Sequence, residues 1–200
     1  MHFNKVASDV TAFHRKFDLK PVSEGGKPEF KLRYDRLVEE LDEIKEAMDE
    51  GDKAKFLDAL VDTIYIAVGT LYLYDQTDWF KNEFEYPVQP GMEPCSWMSK
   101  FDVDYLRGYF TEEEETHCRH LPALINHIMV WAANYNWPMD AAWDEVQRAN
   151  MAKERAKPDA SNSKHKSGQD IVKPEGWVAP DIDKVVDWHQ TKGGQLEMDV

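Results

Sequence analysis

Two acidic stretches carry most of the chemistry this chain can offer: Glu39-Glu40-Leu41-Asp42-Glu43 and Asp58-Ala59-Leu60-Val61-Asp62. Each lies in a segment with helical spacing, so four or five carboxyl groups can converge on one point of a helix bundle. Carboxylates do not gather at an apolar seam unless a cation neutralises them. A hard divalent ion, magnesium or manganese, takes oxygen ligands of this kind and leaves coordination positions for substrate. A phosphate-bearing substrate is the natural companion of such a site.

The helices that position these groups are legible from period. In residues 31–50, Leu37, Leu41, Ile44 and Met48 draw one narrow stripe. Glu40 and Glu43 fall at its edge, while Glu39, Asp42 and Glu46 point further toward solvent, where an ordinary charged face would explain them. Gly51 ends this helix and Asp52 caps the next, expected over 53–75. That third helix is apolar on most sides, with one polar file of Asp58, Asp62, Tyr65 and Gly69. Burying an unpaired Asp is expensive, so Asp58 and Asp62 call for a function more strongly than the Glu-rich face does.

Around this pair the reading is all-α. A first helix is expected over 3–17, a linker over 18–29, and further helices over 119–135 and 138–155. Residues 76–118 read as an inserted lobe with short helices, including one near 97–108. A polar loop follows over 156–170, then an extended run over 171–182 and a tail from Asp183 expected to add a helical turn or two before it frays. The domain reading is a single domain over 1–183, with 184–200 as tail. The long apolar run from Leu57 to Tyr74 carries Asp58 and Asp62 and reads as a buried helix rather than a membrane span. Because that helix is apolar on so many sides, a homodimer or homotetramer is expected.

Bulk properties narrow the partners. A net charge of −14 argues against a general nucleic-acid or anionic-membrane binder. Two cysteines, Cys95 and Cys118, imply no disulfide framework and fit a cytoplasmic setting. Against this acidity, Lys153, Arg155, Lys157, Lys164, Lys166 and Lys173 supply six of the 24 Lys and Arg residues within one segment. Opposite the carboxylates, these are the cations a triphosphate would need. Tyr65, Trp143 and Trp177 are candidates to stack on a base, although such rings are more often core. Two rival metal sites are weak. A di-iron bundle needs two Glu-x-x-His motifs, and only Glu114 and His117 offer one. The spacing of Cys95, His117, Cys118 and His120 is irregular for zinc.

The motifs RLVEELDEIKEAM and LDALVDTIYIAVGT resemble those of the MazG-like, all-α nucleoside triphosphate pyrophosphohydrolases, which include phosphoribosyl-ATP pyrophosphohydrolase. Phe13-His14, the helix EVQRANMAK and the closing stretch VKPEGWVAPDI are similar to phage and bacterial members. The resemblance covers roughly 1–75 and 119–183. It implies cleavage between the α- and β-phosphates of a nucleoside triphosphate, giving a monophosphate and pyrophosphate with two or more Mg2+ (or Mn2+) ions. It implies that Glu40, Glu43 and Asp62 bind metal, and that Glu39 binds a second ion or activates water; Glu39 and Glu43 are the catalytic candidates. Asn150, Lys153 and Lys173 would contact sugar and phosphates, with Tyr65, Trp177 and Arg148 as further substrate candidates. The family's third helix usually reads Glu-x-x-Asp; here the Glu position is Ala59, and Asp58 stands one residue earlier, a rotation of about 100°. The expected substrate is a purine nucleotide such as dGTP, GTP or dATP, in a nucleotide-pool role. The alternatives are a dUTP pyrophosphohydrolase on the same scaffold and a non-catalytic partner protein that keeps the fold.

Overall fold

The computed structural model describes residues 3–77, 103–107 and 113–193. Within them the chain is a bundle of α-helices: α1 (Phe3–Lys16), α2 (Phe30–Glu50), α3 (Lys53–Leu73), a short α4 (Val103–Arg107), α5 (Glu114–Asn134), α6 (Met139–Met151) and α7 (Ile182–Thr191). Two-residue strands β1 (Glu154–Arg155) and β2 (Ile171–Val172) pair antiparallel between α6 and α7.

The α2–α3 hairpin is set by its turn. Gly51 adopts a left-handed φ of 70° and its N–H closes the last turn of α2 on the carbonyls of Ala47 and Met48. Asp52 then accepts from the N–H groups of Ala54 and Lys55 at 3.1 and 3.0 Å, opening α3. The two helices run antiparallel, so Glu39–Glu43 in the middle of α2 lie beside the first half of α3, which carries Asp58 and Asp62.

α3 is the axis of the molecule. It packs against α1, α2, α5, α6 and α7, which together bury its apolar sides. By length and composition Lys53–Leu73 could cross a membrane, yet 78% of its apolar window is buried inside the structure. Its all-round hydrophobicity is therefore satisfied within one chain, and the ground on which an oligomer was expected is removed.

Three other expectations shift. α6 stops at Met151 rather than 155, because the chain turns into the small hairpin. The turn or two of helix expected from Asp183 extends to the ten residues of α7: Asp181 caps it through the N–H of Lys184, and Val185 and Val186 join the core. α5 begins at Glu114, so the end of the expected insertion is helical. Of the helix expected over 97–108, Val103–Arg107 is observed; the remainder, and Cys95, lie outside the described residues.

Candidate active site

The carboxylates of α2 and α3 meet in a groove covered by the segment after α6. Glu40 is 8% exposed, and its Oε2 is buried without a hydrogen-bond partner. Burial, then Asp62 and Glu43, push its carboxyl well above the ordinary range. Asp58 likewise has a buried, unpartnered Oδ1. Burial, then Asp62 and Glu43, raise it to about 7, against the pull of Lys153 and Lys173. Asp62 is raised by burial, while Lys153, Lys173 and Arg36 oppose the shift. Glu43 has an exposed side chain at the rim; partial desolvation, then Asp62 and Glu39, still raise its carboxyl.

The structure thus groups Glu40, Glu43, Asp58 and Asp62 electrostatically. Asp58 belongs because i and i+4 on a helix differ by only about 40°, so it stands on the file of Asp62. Ala59, in the position where the family has Glu, is 2% exposed and packs in the core. The side-by-side placement of Asp58 and Asp62 rests on this period, and Asp58 therefore reaches the cluster from the same helix face.

Glu39 corrects the expectation that it faces solvent. The loop between the strands folds over it: Lys164 Nζ lies 2.7 Å from Oε1, and His165 Nε2 and Arg36 Nη1 lie 3.3 and 3.7 Å from Oε2. Asp170 organises that loop. It is 3% exposed, takes a 2.7 Å bond from Arg36 Nη2, and accepts from Ser163 Oγ and the Ile171 N–H. Gln169 bridges the loop to the start of α2, donating to Lys27 O at 2.8 Å and accepting from the Glu29 N–H.

The cations come from the same segment. Burial lowers the ammonium of Lys153, with Asp62 the strongest opposing influence. Lys153 forms one wall of a cavity of about 80 Å³ whose other walls include Glu40, Asp62 and Asn150. Trp177 donates through Nε1 to Ala149 O at 2.8 Å, and its ring carries Lys173 Nζ at 4.6 Å and Lys153 Nζ at 5.6 Å. One indole thereby docks the closing stretch and gathers both lysines.

Two expected contributors are placed otherwise. Arg148 is exposed, pairs with Glu145 at 2.8 Å and donates to Ala179 O, so it clamps the closing stretch rather than facing the carboxylates. Tyr65 lines the cavity, but it stacks on Trp143 at 5.2 Å and donates its hydroxyl to Gln147. Trp143 is fully buried and donates to Asp9, so neither ring is a free platform.

Sequence reasoning missed the deep end of the cavity. Arg33 donates to Thr70 Oγ1 at 3.0 Å and Ile66 O at 2.7 Å, and His14 donates from Nδ1 to Val10 O at 2.8 Å. Burial, then Arg33, lower His14 to about 3, so it is neutral, with an unpartnered Nε2. Gly69 makes room for both, since a Cβ there would lie 2.7 Å from His14 Cε1 and 2.9 Å from Arg33 Nη2. The polar file on α3 hinted at this, but neither partner could be read from spacing.

The donor set suits a hard cation. It is built of carboxylate oxygens, two of them buried and orphaned, in a place where burial, and then Asp62 and Glu43, raise Glu40 and Asp58. As placed, no three of Asp, Glu, His and Cys among the described residues form a ready cage, so at least one carboxylate must turn to close on an ion. No curated protein and no solved structure matches the chain. The part of the chain that carries both acidic stretches does match: residues 10–75 fit the family model of phosphoribosyl-ATP pyrophosphohydrolase, so this helical hairpin is similar to the all-α pyrophosphohydrolases.

Proposed function

We propose that the protein is a divalent-cation-dependent nucleoside triphosphate pyrophosphohydrolase acting on a purine nucleotide such as dGTP, GTP or dATP. The observation that carries this reading is the single cavity shared by Glu40, Asp62 and Lys153, with Lys173 gathered beside it on Trp177. Acids alone would suit a bare cation. Acids facing two lysines suit a cation and a polyphosphate together.

Pyrophosphohydrolases of this group generally use divalent metals. Here Glu40, Glu43 and Asp62, with Asp58 and Glu39 beside them, would hold magnesium or manganese, which would neutralise phosphate charge and make the attacking water more acidic. The remaining work falls to the chain. Glu43 at the rim, with Glu39 as the second candidate, accepts the proton of the water that attacks the α-phosphorus. The bond to the α–β bridging oxygen breaks, and that oxygen leaves with pyrophosphate. Lys153 and Lys173 neutralise the leaving group, and buried Asn150 orients the sugar or the α-phosphate.

The test is pyrophosphate release across the common NTPs and dNTPs, with magnesium and with manganese. Turnover of purine nucleotides is expected. Turnover of dUTP alone would replace the substrate assignment, and no turnover of any nucleotide would sink the enzymatic reading. Glu43→Gln should lose at least ~100-fold in kcat with its fold intact by circular dichroism; full activity in that variant would refute the site.

A further inference from the structure

His165 is the one imidazole in the loop that closes over Glu39. Its side chain is 8% exposed, and its Nε2 is buried, has no hydrogen-bond partner, and lies 3.3 Å from Glu39 Oε2. Two donors that each sit about 2.1 Å from one ion at a right angle are about 3 Å apart, so this separation suits neighbouring ligands. Lys164 fixes the carboxylate by holding the other oxygen, Oε1, at 2.7 Å, which leaves Oε2 turned to the imidazole. Arg36 Nη1 stands 3.7 Å from Oε2, but its guanidinium is also bound to Asp170 at 2.7 Å, and this carboxylate offsets its repulsion of an incoming ion. The loop is anchored by Asp170 and Gln169, so His165 is held at this place by structure rather than by its contact with Glu39.

We propose that His165 is a nitrogen ligand for a divalent ion held at Glu39, making this position of the site select a transition ion such as Mn2+ over Mg2+. The inference rests on the cation-dependent reading above and adds to it a donor outside the acidic helices. Imidazole nitrogen suits the transition ions, whereas magnesium keeps to oxygen ligands and water. Glu39 supplies charge, His165 supplies selectivity, and water or a phosphate oxygen fills the remaining positions.

The decisive readout is magnetic rather than catalytic. Nucleotide-free protein loaded with Mn2+ is examined by pulsed electron paramagnetic resonance for 14N coupling to the ion, beside calorimetric titrations with Mn2+ and Mg2+ for the wild type, His165→Gln and Glu39→Gln. The expected result is a 14N coupling in the wild type that disappears in His165→Gln. Mn2+ affinity at one site should fall on the order of tenfold, with Mg2+ affinity changed less than about twofold. No coupling in Mn2+-loaded wild type overturns the proposal, and so does a coupling that survives His165→Gln, because it then comes from another histidine. Equal loss of both ions would mean that His165 only orders the loop. A wild type that binds neither ion would instead bring down the cation-dependent reading itself, and the His165 assignment with it. The wild-type spectrum decides the matter even if the variants fold poorly.

Discussion

Asp58 and Ala59 are neighbours in sequence with opposite surroundings: one faces the carboxylate cluster and the other packs in the core. A carboxyl raised to about 7 in the folded protein, against an ordinary 3.8, favours the neutral form. Above pH 7 the folded state carries the unfavourable charge. As pH falls from 7 toward 4, the folded state takes up its proton before the unfolded chain does, and stability rises. Asp58→Asn should therefore stabilise the cation-free protein by about 1–3 kcal/mol at pH 8, with the gain fading toward pH 4. Urea denaturation at both pH values, with chelator present, checks this; a variant less stable than wild type at pH 8 would mean that Asp58 is not held against its charge. The same substitution should weaken cation binding, which is how a destabilised site earns its place. At this scale the sequence was informative about Asp58 and Asp62, because a buried Asp in an apolar helix has few structural uses. It was silent on Arg33 and Asp170, which are joined to Thr70 and to Arg36 on other elements, and misleading on Glu39. Helical period places Glu39 relative to α2 but says nothing of a loop that arrives from more than a hundred residues away.

At the scale of elements, the helices were legible because hydrophobic period survives wherever one face is buried. The boundaries that moved are those set by partners instead. β1 and β2 have two residues each, too few to show alternation, and exist through backbone pairing. α7 outgrows the turn or two expected of it because Val185 and Val186 have a core to enter. Two substitutions test how elements hold the site. Gly69 lets α3 pass close to His14 of α1 and Arg33 of α2, and both contacts are buried. Gly69→Ala gains about 1 kcal/mol in helix propensity but overpacks this crossing. A net loss of about 1–2 kcal/mol is expected from chemical denaturation; a gain would show that the three elements have slack there. Trp177 joins the closing stretch to the end of α6 and gathers Lys153 and Lys173. Trp177→Phe keeps a ring but loses the bond to Ala149 O, and Trp177→Ala loses both. A graded rise in KM, larger for Ala, with a smaller fall in kcat, is expected from steady-state kinetics. Equal kinetics for both variants and wild type would separate the indole from the lysines' function.

For the whole molecule, charge is distributed so that folding and ligand binding pull in different directions. A chain of net charge −14 concentrates four carboxyls raised first by burial in one groove and answers them with lysines drawn from a late segment. The lysines do not cancel the cost of burying these charges, since the carboxyls remain raised. An ion that binds the folded protein and not the unfolded chain should thus act as a strong stabiliser. At a hundredfold excess over its dissociation constant it contributes about 2.7 kcal/mol, which for a domain of this size is roughly 5–10 °C in Tm. The pH dependence follows from the same carboxyls. Near pH 8 Asp58 is ionised and available to an ion; near pH 5.5 it is protonated, and the ion must displace a proton. Burial also holds His14 near 3 and His117 near 4, below their ordinary 6.5, so the folded state resists protonating them and loses stability as pH falls below 6.5. Those histidines lower Tm in acid with or without ion, whereas the carboxyls change the difference between the two. Thermal melts in chelator and in Mn2+ or Mg2+ should accordingly show a shift of several degrees at pH 8 that shrinks by half or more at pH 5.5. A shift independent of pH would place the ion away from the raised carboxyls, and no shift at either pH would remove the cation from the groove.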